Sequence, residues 1–170
     1  MIETEIPVAA GRYALTEPAT IRFRTRHMFG LAPVRGRLAV TGAAIVVGDS
    51  PAESSVSATI DAGSFTTRNP LRDVQVRSRL FLHAKRHPTL TFRSDSVAWR
   101  DGAWHILGTL TVRGNRAPID LTVDEISSTP SALTVRAHGE VDRYAVGVSA
   151  FKGMAARNLT FEVEAGAARN

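Results

Sequence analysis

From Phe92 to Val141 the chain alternates apolar and polar positions with few interruptions. Leu90, Phe92, Trp104, Ile106, Leu110, Ile119, Leu121, Val123, Leu133 and Val135 stand mostly two residues apart within each run. That is the spacing of strands that keep one face in an apolar interior. Asp101-Gly102, Arg113-Gly114-Asn115 and Ser128-Thr129-Pro130-Ser131 separate the runs, and each supplies residues suited to tight turns. The segment predicts four consecutive strands in a meander. No second set of helices follows to cover its apolar face, so the sheet is expected to curl and close on itself.

The flanking sequence extends the pattern. From Ala19 to His27, Ile21, Phe23 and Thr25 face one way and Arg22, Arg24 and Arg26 the other, as in a barrel strand with a lined interior and a solvated exterior. A second strand is expected at about Gly36 to Val47. It is small and apolar on both faces, so the pattern does not choose its inward side. Ser54 to Asp61 reads as a third strand with Val56, Ala58 and Ile60 inward. Asn158 to Ala165 reads as the last, with Leu159, Phe161 and Val163 inward.

Between the third and fourth predicted strands the period changes. Asn69-Pro70 suits a helix start, with Asn as N-cap and Pro at the first helical position. Leu71, Val74, Phe81 and Leu82 fall at helical spacing and are expected to share a buried face, the helix ending before Pro88. Residues 142–156 read as an irregular loop. The expected fold is all-β: an eight-stranded antiparallel lipocalin-like barrel with one short helix between strands three and four, forming a single domain over residues 1–170. A barrel of eight strands fills its interior or holds one small ligand.

Composition adds limits. The chain has 170 residues, 44% hydrophobic and 22% charged, with no cysteine, which fits one globular domain without disulfides or thiolate chemistry. The net charge is +5 and only Lys85 and Lys152 are lysines. Arginine suits phosphates, but these arginines alternate with apolar residues, as on a solvated outer face, so no nucleic-acid partner is expected. The opening residues lack the basic and apolar regions of a signal peptide. The uncharged run Leu38 to Gly48 is well short of the roughly 20 residues a spanning helix needs. No integral membrane segment and a cytoplasmic location are expected. Exposed strand edges would allow a homodimer, and barrel closure would remove them.

Little catalytic chemistry is visible. His83 and His87 stand four apart at the expected helix end, but Lys85-Arg86 between them repels a cation, so no metal is expected. Asp120 and Asp124 sit beside Thr122 on the outward register and read as solvated. Arg72-Asp73 and Asp142-Arg143 read either as solvated pairs or as latches tying helix and loop to the barrel. His27 continues the inward register of Ile21, Phe23 and Thr25 to the rim, where it would either contact a ligand head group or hold the turn at Gly30. No phosphate loop or nucleophile elbow is present. No cofactor and no catalytic residue are expected.

The segments GRYALTEPATIRFRTRHMFGLAPVRGRL, SSVSATIDAGSFTTRNPLRDVQVRS, HPTLTF and GTLTVRGNRAPIDLTV, in this order, resemble the YceI-like family of polyisoprenoid-binding, lipocalin-like proteins. The chain departs from that family at Arg143-Tyr144-Ala145-Val146-Gly147 and in the following loop. The resemblance implies a long apolar lumen that takes up and carries a polyisoprenoid or isoprenoid quinone without catalysis. The expected lining is Ile21, Phe23, His27, Val56, Ile60, Leu90, Phe92, Trp104, Ile106, Leu110, Ile119, Leu121 and Phe161. Phe81, Leu82, Phe151 and Met154 are expected at the mouth. Two other readings stand beside it. One is a cyclase- or isomerase-like enzyme using His27 with Arg35 or Tyr144. The other is a stress-related interaction module whose core is filled by Phe92, Trp104 and Phe161.

Overall fold

The computed structural model describes residues 5–27, 32–150 and 156–170. Its strands are β1 (Gly11–Leu15), β2 (Ala19–His27), β3 (Ala32–Val47), β4 (Ser55–Thr66), β5 (Thr89–Arg100), β6 (Ala103–Val112), β7 (Asn115–Ser128), β8 (Ala132–Asp142) and β9 (Asn158–Arg169), with helix α1 (Pro70–Arg77) between β4 and β5. They form one antiparallel sheet in the order β1-β3-β2-β9-β8-β7-β6-β5-β4, and β3 also pairs with β4 to close the barrel.

The barrel has eight strand positions, and β1 and β2 share one of them. Both lie between β3 and β9: Gly11 pairs with Val47 and Leu15 with Ala167, while Ala19 pairs with Val40 and Thr20 with Glu164. The break falls at Glu17-Pro18, where proline removes a ladder donor. The sequence expectation treated this position as one strand starting at Ala19; β1 is an addition to it. Closure pairs every described strand on both sides, so these strands leave no open edge for a strand-paired dimer.

The meander forms as its alternation predicts. Trp99 pairs with Trp104, Phe92 with Leu110, and Ile106 with Leu121. Asp101-Gly102 and Arg113-Gly114 turn with positive φ at both residues (52° and 80°, 53° and 79°), the geometry that matches the twist of a hairpin. The second strand is longer than expected, and bulges between Arg37 and Ala39 and between Val40 and Gly42 interrupt it. Each bulge shifts the side-chain alternation, so no single inward register existed to be read.

The helix departs most from expectation. Asn69 caps it, accepting a hydrogen bond from the Arg72 amide at 3.2 Å, but it ends at Arg77. Leu71 and Val74 are 86% and 66% exposed, whereas Phe81 is buried. The apolar face expected from their spacing does not exist, because the chain leaves the helix before Phe81 and Leu82. The fully buried residue of α1 is Asp73, only 4% exposed, with Val76 partly buried against the core. Its carboxylate accepts from the Thr67 amide (2.8 Å), the Thr67 hydroxyl (2.6 Å) and the Thr66 hydroxyl (3.1 Å) at the end of β4. Of the two readings of Arg72-Asp73, the latch is the one formed. Burial alone would raise the Asp73 pKa. The Thr67 hydroxyl and amide, the Thr66 hydroxyl and the Arg77 guanidinium outweigh it and hold the carboxyl below its ordinary value.

Candidate functional site

Two connections close one end of the barrel: residues 67–88, which contain α1, and the described parts of the β8–β9 connection, residues 143–150 and 156–157. Arg113 Nη1 donates to the Phe81 carbonyl at 2.9 Å, and Arg77 donates from Nε and Nη2 to the Phe65 carbonyl. The first connection is thereby tied to the β6–β7 turn and to β4. Arg143 organises the second. It is buried, at 6% exposed. Its Nε donates to the Ala156 carbonyl (2.8 Å), and its Nη1 to those of Val148 (2.9 Å) and Ala150 (2.8 Å). The guanidinium lies over the rings of Phe81 and Tyr144, at 5.7 and 4.9 Å from their centroids. Burial pushes the Arg143 pKa down while Tyr144 and Asp142 oppose it, and it remains a cation. Asp142 receives two bonds from Arg157, at 2.9 and 2.8 Å. These bonds hold its carboxyl below the usual range against partial desolvation. The pair Asp142-Arg143 is therefore also a latch, each member holding a different part of the loop.

Behind this cap the barrel encloses a cavity of about 570 Å3. Ile21 and Phe23 of β2, Val56 and Ile60 of β4, and Leu90 and Phe92 of β5 line it. So do Trp104, Ile106 and Leu110 of β6, Ile119 and Leu121 of β7, and Phe161 of β9, with Phe81 from the cap. His27 pairs through its backbone with Ala32; its side chain, like all of Phe151 and Met154, lies outside the described residues. Lining residues that sequence reasoning did not assign include Val34, Leu38 and Val40 of the bulged β3, and Val146 and Val148 of the late loop. The first group was hidden by strand irregularity. The second was hidden because a loop has no period.

Phe92, Trp104 and Phe161, which a filled interior would pack together, line the cavity wall. Glycines help keep the phenylalanines there. Phe23 pairs directly with Gly36 and Phe161 with Gly139. A Cβ on Gly139 would stand 2.8 Å from the Phe161 ring, and one on Gly108 would stand 2.5 Å from the Phe92 ring. The rings lie against wall positions that have no side chain, which leaves the axis of the barrel open.

The lining is apolar except for Thr25, Ser54, Ser55, Arg72, Gln75 and Arg143. Arg72 and Gln75 come from α1 and Arg143 from the late loop, so three of these polar groups gather at the capped end. Of the polar groups in the enzyme reading, Arg35 is exposed on the outer wall and Tyr144 lies between Arg143 and Arg157. Among the described residues no three His, Asp or Glu side chains converge as a metal site. His83 and His87 sit in turns beyond the helix, ring centroids 5.8 Å apart. Partial desolvation and the neighbouring charges, those of Arg113, Arg86 and Arg79 among them, lower the His83 pKa. Asp120 and Asp124 do face outward, but they are partnered. Asp120 accepts from Arg100 at 2.7 Å and lies 2.8 Å from His105 Nδ1, and Asp124 lies 2.8 Å from His138 Nδ1. Among the described residues no helix is long and apolar enough to cross a membrane.

The profile of the YceI-like domain matches residues 14–167. A UPF0312 protein of Pseudomonas aeruginosa is 31% identical over 104 residues, covering 61% of this chain and 54% of that protein. A UPF0312 protein of Pectobacterium carotovorum is 32% identical with the same coverage. The chain thus spans about half the length of the curated relatives it matches. Among solved structures, Burkholderia cenocepacia BcnA superposes with a TM-score of 0.74 at 19% identity, covering 87% of this chain and 95% of that one. A polyisoprenoid binding domain from Saccharophagus degradans, implicated in plant cell wall breakdown, gives 0.67 at 12% identity, covering 93% and 98%. At such identities the likeness is one of fold.

Proposed function

Because the chain belongs to the YceI-like family, we propose that it binds an isoprenoid lipid, either a polyisoprenoid chain or an isoprenoid quinone, and carries it unchanged in the barrel lumen. The observation that carries this reading is the cavity of about 570 Å3 with its almost wholly apolar wall. That size falls within the roughly 300–1,000 Å3 of small-molecule sites. An isoprenoid tail offers no hydrogen-bonding groups. Its affinity has to come from removing apolar surface from water, at roughly 25 cal/mol per Å2, which is what such a wall provides. The polyisoprenoid-binding domain from Saccharophagus degradans shares the fold.

The polar residues at the capped end suit the head group. Arg72 and Gln75 reach the lumen from α1 and can donate hydrogen bonds to a quinone carbonyl or a phosphate while the tail extends along the axis. Carriage without reaction is supported by the described lining, which contains no His, Asp, Glu, Cys, Lys or Tyr, the side chains that most often move protons or attack substrates.

Organic extraction of the purified protein, followed by lipid mass spectrometry, tests this. The expected result is one isoprenoid class at near one equivalent, recovered unaltered after prolonged incubation. An empty extract, together with no uptake of a long-tailed quinone by the protein, would sink the reading; a chemically altered lipid would sink its non-catalytic part.

A further inference from the structure

We propose that the connection carrying α1 docks the capped end of the barrel on an anionic lipid bilayer. This goes beyond the lumen's occupant and does not depend on it. Leu71, Val74 and Leu80 are 86%, 66% and 49% exposed, three apolar side chains on one short surface segment. Leu71 and Val74 stand one turn apart on the helix, away from the buried Asp73 that fixes α1 to β4. Arg68, Arg79, Lys85 and Arg86 are exposed in the same connection, and among the described residues no carboxylate pairs with them. Asp73 is its single acid between residues 67 and 88, and it is buried in its own hydrogen bonds.

The rest of the barrel sharpens this asymmetry. The β6–β7 turn adds Arg113 and Arg116 at the same end. At the opposite end the turns present exposed acids, Glu17, Asp49, Glu53 and Asp101, beside the exposed Arg12, Arg100 and Arg169, of which Arg100 is paired with Asp120. The capped end carries the larger excess of exposed cations, so an anionic surface favours that end over the mixed charges of the other. Apolar side chains ringed by cations are the composition of interfacial segments, in which the cations meet lipid phosphates and the apolar residues enter the acyl boundary. A nucleic acid would gain nothing from Leu71 and Val74, and α1 offers it no aromatic ring to stack on. A second copy of this chain would bring like charges together.

Co-sedimentation of the full chain with vesicles tests the proposal. Binding is expected to phosphatidylcholine vesicles containing about 30% phosphatidylglycerol and to be weak on phosphatidylcholine alone, with most of it lost at about 0.5 M salt. The pair R79E/R86E is expected to weaken binding at least roughly tenfold. L71D/V74D should remove whatever binding survives high salt. R24E/R93E makes the same charge change on the exposed barrel wall and should leave most binding intact. All these positions are exposed, and lipid extracted from the lumen should be unchanged in every variant, which separates docking from occupancy. The proposal is overturned if the wall pair weakens binding as much as the cap pair, since net charge alone would then explain it. Cap-dependent binding to duplex DNA that exceeds vesicle binding, or a dimer that L71D/V74D dissolves, overturns it equally.

Discussion

Asp73 shows how one side chain decides whether the cap stays closed. It is buried as an anion with three hydrogen-bond donors from Thr66 and Thr67. Replacing it with asparagine keeps the shape but removes the charge and turns one acceptor into a donor facing a donor. Asp73→Asn is expected to cost about 1–3 kcal/mol, or roughly 2–4 °C of Tm for each kcal/mol at this chain length. The pH dependence follows from the direction of the shift. The folded carboxyl titrates below the ordinary value of about 3.9, so its stabilisation is present above that pH and is lost as pH falls through the folded pKa. The Tm gap between wild type and D73N should be flat near neutrality and close in acid; a gap that widens in acid would refute the latch. Arg143 makes a parallel case. Arg143→Lys keeps the charge but cannot reproduce the fork that reaches the carbonyls of Ala156, Val148 and Ala150. It should cost about 1–3 kcal/mol and speed hydrogen exchange at the Val148 amide, which bonds the Arg143 carbonyl at 2.9 Å. Neither burial was legible in the sequence. Arg72-Asp73 and Asp142-Arg143 look like any adjacent opposite charges, and only the threonines before α1 and the carbonyls of the late loop make them interior.

At the scale of the element, cross-strand pairs set the shape of the lumen. Gly139 on β8 pairs with Phe161 on β9, and the ring occupies the space a side chain would take. Gly139→Ala is expected to destabilise by about 1–3 kcal/mol through overpacking and to tip the ring towards the axis. Combined with Phe161→Leu, most of the alanine's cost should disappear, a coupling that a double-mutant cycle measures directly. Additive effects would show that the ring does not rest on the glycine. The strands β5 to β8 were legible because each carries an alternation long enough to name the inward side despite single bulges, and their inner residues are the ones that line the cavity. Legibility failed where an element was irregular. Strand β3 has two bulges and small apolar residues on both faces. Strand β1 is only five residues long and is cut from β2 at Pro18. Helix α1 was placed correctly by Asn69-Pro70, but its buried face was misread, because helical spacing between Val74 and Phe81 means nothing once the helix has stopped at Arg77.

The described residues form a closed barrel around a space that their side chains leave open. An apolar space without an occupant forfeits contacts along its entire wall, so the occupied protein should be the more stable one. A ligand that binds only the folded chain adds about 2.7 kcal/mol at one hundred times its Kd. At this chain length that corresponds to roughly 5–10 °C in Tm. Length then becomes the informative variable. Each methylene moved from water into the lumen contributes about 0.8 kcal/mol, so a series of isoprenoid tails should raise Tm steadily while new carbons find wall. The rise should stop once the roughly 570 Å3 is filled and further units protrude into solvent. Ile106 lies mid-strand on β6 and faces this space. Ile106→Trp should bring the plateau to shorter tails while leaving the response to the shortest ones unchanged. A Tm indifferent to tail length, or a plateau that ignores the tryptophan, would mean that the lipid binds outside the barrel.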